Sequence, residues 1–160
     1  METKDLFAYG DAAIQRLRET LMENPEGFQV TFSTLSAFKG VKDLVAHLVG
    51  AEERWFDRTQ GLPPTARYED NAAITIGGIF ADWQLRRDRL KAFYNGLGTA
   101  ALGTAIPLKL SHREELVPMT MDQIVYHLIN HQIYHVGQIS MALQQASIDP
   151  PNFDYTSVML

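Results

Sequence analysis

Toward the C-terminal end of the chain, Tyr126-His127-Leu128-Ile129-Asn130-His131-Gln132-Ile133-Tyr134-His135 places three histidines at intervals of four. In an α-helix a step of four turns only about 40° around the axis, since each residue turns about 100°. His131 and His135 therefore project from adjacent turns of one face, and that face also carries Ile124, Leu128, Ile139 and Ala142. Imidazoles buried in an aliphatic stripe are costly unless their nitrogens are paired, and one divalent cation satisfies a nitrogen on each at once. Any fold built on this helix must bury the stripe and pair the nitrogens of its histidines, through a shared cation or through separate hydrogen bonds.

The remaining periodicity is helical as well. Leu6, Gly10, Ala13, Ile14, Leu17 and Leu21 recur at three and four, predicting a first helix from Lys4 to Glu23 that stops at Asn24-Pro25. Gly27 to Gly40 mixes Phe28, Val30, Phe32 and Leu35 with Ser and Thr and reads as a long packed connection. Val41, Leu44, Leu48, Ala51 and Trp55 share one face of a second helix, which leaves Lys42, Glu52, Glu53 and Arg54 for water and ends at Gly61-Leu62-Pro63-Pro64. A polar loop, Thr65 to Asn71, leads to a third helix marked by Ile79, Trp83, Leu90 and Phe93, with Arg86, Arg87, Asp88 and Arg89 read as exposed and Gly96 and Gly98 as its end.

Between Thr104 and Val117 the alternation is uneven, and Ile106 to Leu110 followed by His112 to Glu115 fits an irregular hairpin. Thr120-Met121-Asp122-Gln123 is a capping box, with Met119 and Ile124 placed as a hydrophobic staple. The fourth helix should run from there to about Gln145; Asp149-Pro150-Pro151 prevents its continuation, and the last residues carry no pattern. The expectation is all-α, a four-helix bundle in one domain over 1–160, with long connections between helices. There is no internal repeat.

Composition excludes several functions. The 14 Lys and Arg are interspersed with 19 Asp and Glu, for a net charge of −5, so there is no basic face for nucleic acid. No run is long and apolar enough for a bilayer, and Met1-Glu2-Thr3-Lys4-Asp5 is not the start of an export signal, so the expected location is cytoplasmic. The chain has no cysteine. Any metal must then be held by nitrogen and oxygen, and any thiol chemistry needs a thiol from outside.

His47 lies on the inward side of the second helix beside Leu44, Leu48 and Ala51, as a third ligand or as a core histidine bonded to a backbone carbonyl or to Asp43. His127, at the edge of the stripe, is a fourth ligand, a donor behind the ligands or a polar border residue. His112 sits among charged loop residues and is given no site role. Gln138, three past His135, and Asp43, four before His47, are candidates to fix ring orientation. Three neutral nitrogen ligands leave coordination positions open, as in catalytic sites, and imidazole suits zinc, nickel, copper or iron.

Leu44-Val45-Ala46-His47-Leu48 with Glu53-Arg54-Trp55, the segment His127 to Ile139, and the closing Ile148-Asp149-Pro150-Pro151-Asn152-Phe153-Asp154 together resemble the DinB family over nearly the whole chain. The resemblance implies a four-helix bundle of up-up-down-down order, often a homodimer. It also implies one divalent transition metal, zinc, nickel or iron, held by the positions that are His47, His131 and His135 here. Many relatives carry Arg directly after the last histidine, where this chain has Val136, which removes any anion contact made there.

Some relatives are transferases or isomerases using bacillithiol or mycothiol, and others, including damage-inducible ones, have no known reaction. Two functions follow as expectations. One is a metal-dependent transferase that presents an external thiol to a small electrophile, with Glu53 and Tyr134 as the nearest candidates for a base. The other is a non-catalytic metal-binding stress protein. Against both stands a plain bundle whose histidines are core polar groups.

Overall fold

The computed structural model describes residues 3–32, 38–63, 65, 67–70, 74–110 and 113–160. Each of the four periodic segments forms a long helix: α1, Thr3–Glu23; α2, Val41–Thr59; α3, Ile76–Gly96; and α5, Met121–Gln145. Two short helices add to these, α4 at Thr99–Leu102 and α6 at Tyr155–Met159. The described residues thus make a six-helix all-α bundle rather than a strict four-helix one. No helix among them is long and apolar enough to cross a membrane.

Polar side chains set two of the helix starts. Thr75 accepts from the Gly78 amide at 3.1 Å before α3. Thr120 accepts from the Gln123 amide at 3.3 Å while Gln123 Oε1 accepts from the Thr120 amide at 2.9 Å, the reciprocal box read from the sequence. The uneven stretch before α5 is an antiparallel hairpin, β1 Ile106–Lys109 on β2 Leu116–Met119, pairing Ile106 with Met119 and Lys109 with Leu116. His112 lies outside the described residues, as does Leu35.

A buried polar layer divides the core in two. On one side pack Leu17, Leu21, Val41, Leu44, Ile79, Trp83, Val136 and Ile139; on the other Phe7, Trp55, Leu90, Met121, Ile124 and Leu128. Between them lies Arg87 of α3, only 1% exposed. Its Nε donates to Glu52 Oε1 of α2 at 2.8 Å and Nη2 donates to the same oxygen; Nη1 reaches Asp11 Oδ1 of α1 at 3.1 Å, and Nη2 reaches Gln132 Oε1 of α5 at 2.7 Å. Gln132 in turn donates to the Gly10 carbonyl at 2.8 Å. One guanidinium therefore joins all four long helices. A Cβ at Gly10 would lie 2.6 Å from Ile129 Cδ1 and 2.8 Å from Arg87 Nη1, so any larger residue there would push one of these side chains out of place.

Arg87 and Glu52, expected at the surface, are thus buried. Nearby, Glu53 pairs with Arg86 and Arg89, each at 2.9 Å, and so is not available as a base.

Helix directions follow from paired contacts. Thr3 meets Asp122 and Gly10 meets Gln132, so α1 and α5 are parallel. Glu52 meets Arg87 and Phe56 meets Phe93, so α2 and α3 are parallel. Phe7 meets Tyr94 while Asp11 meets Arg87, and His47 meets His135 while Trp55 meets His127, so these two pairs are antiparallel. The order is up-down-down-up, which corrects the expected up-up-down-down. The connection from α2 to α3 is the physical reason: it runs back along the 19-residue α2, roughly 28 Å at 1.5 Å per residue, and starts α3 at the same end. The C-terminal segment, read as patternless, also packs: Tyr9 donates to the Phe153 carbonyl at 2.7 Å, Arg16 donates to that of Asn152 at 2.9 Å, and α6 sets Tyr155 against Tyr9.

Replacing Arg87 with Met would leave Glu52 buried without its counter-charge, a loss of about 3–5 kcal/mol. Urea denaturation should show that drop for Arg87→Met, and the double variant Glu52→Gln/Arg87→Met should recover part of it.

Candidate metal centre

Helix α2 runs antiparallel to α5, and this brings His47 opposite His131 and His135. The Nε2 atoms of His47 and His131 are 3.2 Å apart, and those of His131 and His135 3.1 Å. One ligand atom from each of the three lies within 4.8 Å of the others. The predicted triad is therefore assembled, from two helices, as a cluster able to coordinate a metal ion.

The other ring nitrogens set the tautomers. His47 Nδ1 lies 3.0 Å from Glu69 Oε1, and a carboxylate can only accept. Burial works to raise the Glu69 pKa but is outweighed by a hydrogen bond with its own backbone, by His47 and by Arg54, so the net shift is downward and Glu69 remains ionised. His135 Nδ1 lies 2.7 Å from Gln138 Oε1, and the Gln138 amide nitrogen is turned toward the Tyr134 hydroxyl at 3.3 Å. Both histidines thus carry their proton on Nδ1 and aim a lone pair from Nε2 at the shared centre. Among neutral histidines, a proton on His131 Nε2 serves only one of those lone pairs, whereas a cation serves all three. The donor set fits a divalent metal that favours imidazole.

Electrostatics keep the rings neutral. Burial pushes His131 down to about 3, with His135, His47, His127 and Arg54 adding to the effect. Burial also lowers His47, against the pull of Glu69, and lowers His135, against Gln138. Phe38 covers the cluster, its ring centroid 4.7 Å from that of His47 and 5.5 Å from that of His135.

His127 stands outside the triad. Its ring lies 4.4 Å from Trp55 and 5.9 Å from His131, in the wall of a cavity of about 780 Å³ that His47 and His131 also line. Gln138 does orient a candidate ligand, as expected. Asp43 does not: its carboxylate accepts from the Lys39 amide at 3.1 Å, and Glu69 takes the role at His47.

Glu69 belongs to a short 3-10 turn, Tyr68–Asp70, in the α2–α3 connection. Tyr68 anchors the turn by donating to Asp82. Gly50 lets it approach α2: a Cβ there would lie 3.2 Å from Tyr68 Cβ, 3.3 Å from Glu69 Oε2 and 2.7 Å from Arg54 Nη1. Val136, where many relatives carry Arg, is fully buried in the core.

The sequence pattern of the DinB family matches residues 2–159. The chain belongs to the DinB family. Among its relatives is the uncharacterized protein YizA of Bacillus subtilis (strain 168), 25% identical over an alignment of 112 residues that covers 65% of this chain and 63% of that protein. This chain thus spans under two thirds of the length of the curated relative it matches. Within this DinB-family bundle, the three histidines that the resemblance implies as ligands are the ones the fold brings together.

The depressed His131 pKa makes the metal-free protein acid-sensitive. The unfolded chain, with a histidine pKa of about 6.5, takes up the proton first, so stability is complete above that pH and is lost as the pH falls from there toward 3. In the chelator-treated protein the urea midpoint should fall further between pH ~7.5 and ~4.5 than in His131→Leu. Equal falls would show that His131 does not carry the effect.

Proposed function

We propose that His47, His131 and His135 hold one divalent transition metal, and that the protein is a metal-dependent transferase joining a low-molecular-weight thiol to a small electrophile. The observation that carries the reading is the cavity: His47 and His131 belong both to the cluster and to its wall. About 780 Å³ is within the usual range for a small-molecule site. A metal that only pinned α2 to α5 would have no need of such a space, and Arg87 already joins those helices.

A bound metal supplies Lewis acidity, which lowers the pKa of an incoming thiol. The chain contributes the rest. Glu69 and Gln138 hold two of the rings in the tautomer that presents Nε2. Trp55, Leu110, Val117 and Met119 give the cavity an apolar wall that limits water around the reacting groups. The thiol comes from outside, because the chain has no cysteine. Glu53 is engaged by Arg86 and Arg89, and Tyr134 is 63% exposed, so neither of these two candidates is placed in the cavity to act as a base.

Metal analysis of protein purified without a histidine tag should find about one divalent ion per chain, and His131→Ala should lose it. Glu69→Gln should keep the fold while weakening metal affinity by about 10–100-fold. Metal-loaded protein given bacillithiol, mycothiol or glutathione with a panel of electrophiles should consume thiol faster than the His131→Ala control. Metal binding with no turnover across the panel would overturn the transferase reading and leave a non-catalytic metal protein.

A further inference from the structure

Helix α2 sorts its charges by face. Three of its four acids turn toward α3: Glu52 to Arg87, Glu53 to Arg86 and Arg89, and Asp57 to Arg89 at 3.8 Å, with the Thr65 amide also on Asp57 at 3.1 Å. Its other face, His47, Ala51, Arg54, Trp55 and Arg58, lines the cavity beside the histidine cluster. Arg113 of the hairpin turn lines it too, and among the described residues no carboxylate does. In a chain of net charge −5 this concentrates positive charge in one cleft.

The arginines are incompletely neutralised. Arg54 reaches one carboxylate oxygen, Glu69 Oε2, at 3.4 Å. Arg58 lies over the Trp55 ring, 5.3 Å from its centroid, and among the described residues no acid pairs with it or with Arg113. Arg54 and Arg58 are one helical turn apart on the same side, where like charges repel. Burial, and after it Arg54, lowers the pKa of Arg58, the direction expected where a cation lacks its counter-ion.

We propose that this cavity is an oxyanion subsite, in which Arg54, Arg58 and Arg113 receive the carboxylate or phosphate of a small molecule whose apolar body lies against Trp55, Leu110, Val117 and Met119. Guanidinium forks match either group bidentately. The subsite gives the chemical class of one reactant in the proposed transfer, and it rests on that reading only for the claim that the bound molecule reacts.

Trp55 reports occupancy directly, while Trp83, the other tryptophan, is fully buried in the core. Phenylacetate, phenyl phosphate and neutral phenylacetamide would be titrated by tryptophan fluorescence into zinc-loaded and chelator-treated protein. At least one anion should bind about tenfold or more tighter than the amide in both forms, and the preference should weaken with salt. Which anion binds more tightly separates a carboxylate ligand from a phosphate one.

Arg54→Gln/Arg58→Gln should remove the preference without changing amide binding, and Arg54→Lys/Arg58→Lys should keep part of it. If the double Gln variant does not fold, Arg58→Gln alone, which breaks no ion pair, must reduce the preference. Equal affinities, a preference that survives loss of both arginines, or one that needs zinc would overturn the subsite. Anion selectivity without thiol turnover would keep the subsite and remove the transferase; turnover with no selectivity would do the reverse.

Discussion

The fold depends on one buried cation. Arg87 is in the middle of the bundle and only 1% exposed, so its guanidinium must find partners within the protein. It finds them on every other long helix: Asp11 on α1, Glu52 on α2 and Gln132 on α5. Apolar stripes alone fix which faces meet but allow sliding and rotation, because aliphatic contacts are not directional. A planar guanidinium with its partners in fixed directions removes that freedom. Gln132 is adjacent to His131, so the bond that sets the rotation of α5 about its axis also aims the histidines at α2.

That layer was written in the sequence but is hard to read there. Arg87 lies four past Trp83 and three before Leu90, on the apolar stripe of its helix. Glu52 lies four past Leu48 and three before Trp55, and Gln132 four past Leu128 and four before Val136. Each is a polar residue on a core-facing line, the same signal that made the histidines stand out. The neighbours Arg86, Asp88 and Arg89 disguise Arg87 as part of a solvated run, and Glu53 and Arg54 do the same for Glu52. Gly10 added a second clue, a glycine in the apolar face of the first helix.

What periodicity and capping decide was legible: the four long helices, the Thr120 box, the hairpin and the His131–His135 pair on one helix face, while the choice of His47 as their third partner came from the family resemblance. Helix direction was not, because a long connection permits a neighbour to start at either end. Glu69 and Phe38 were out of reach for a related reason. They belong to connections without a repeating pattern: Glu69 is placed by Gly50 and the packing of its turn on α2, and Phe38 is known only from its ring contacts with His47 and His135 in three dimensions.

The same helix α2 meets two opposed demands. Toward α3 it must present carboxylates, because Arg86, Arg87 and Arg89 face it there. Toward the cavity it presents His47, Arg54, Trp55 and Arg58, groups suited to a metal, an anion and an apolar body. Turning α2 by one residue about its axis, roughly 100°, would break both faces together. The buried ion pairs therefore do more than hold helices side by side: by fixing the rotation of α2 they keep its cationic face toward the cavity, without a metal having to supply that order.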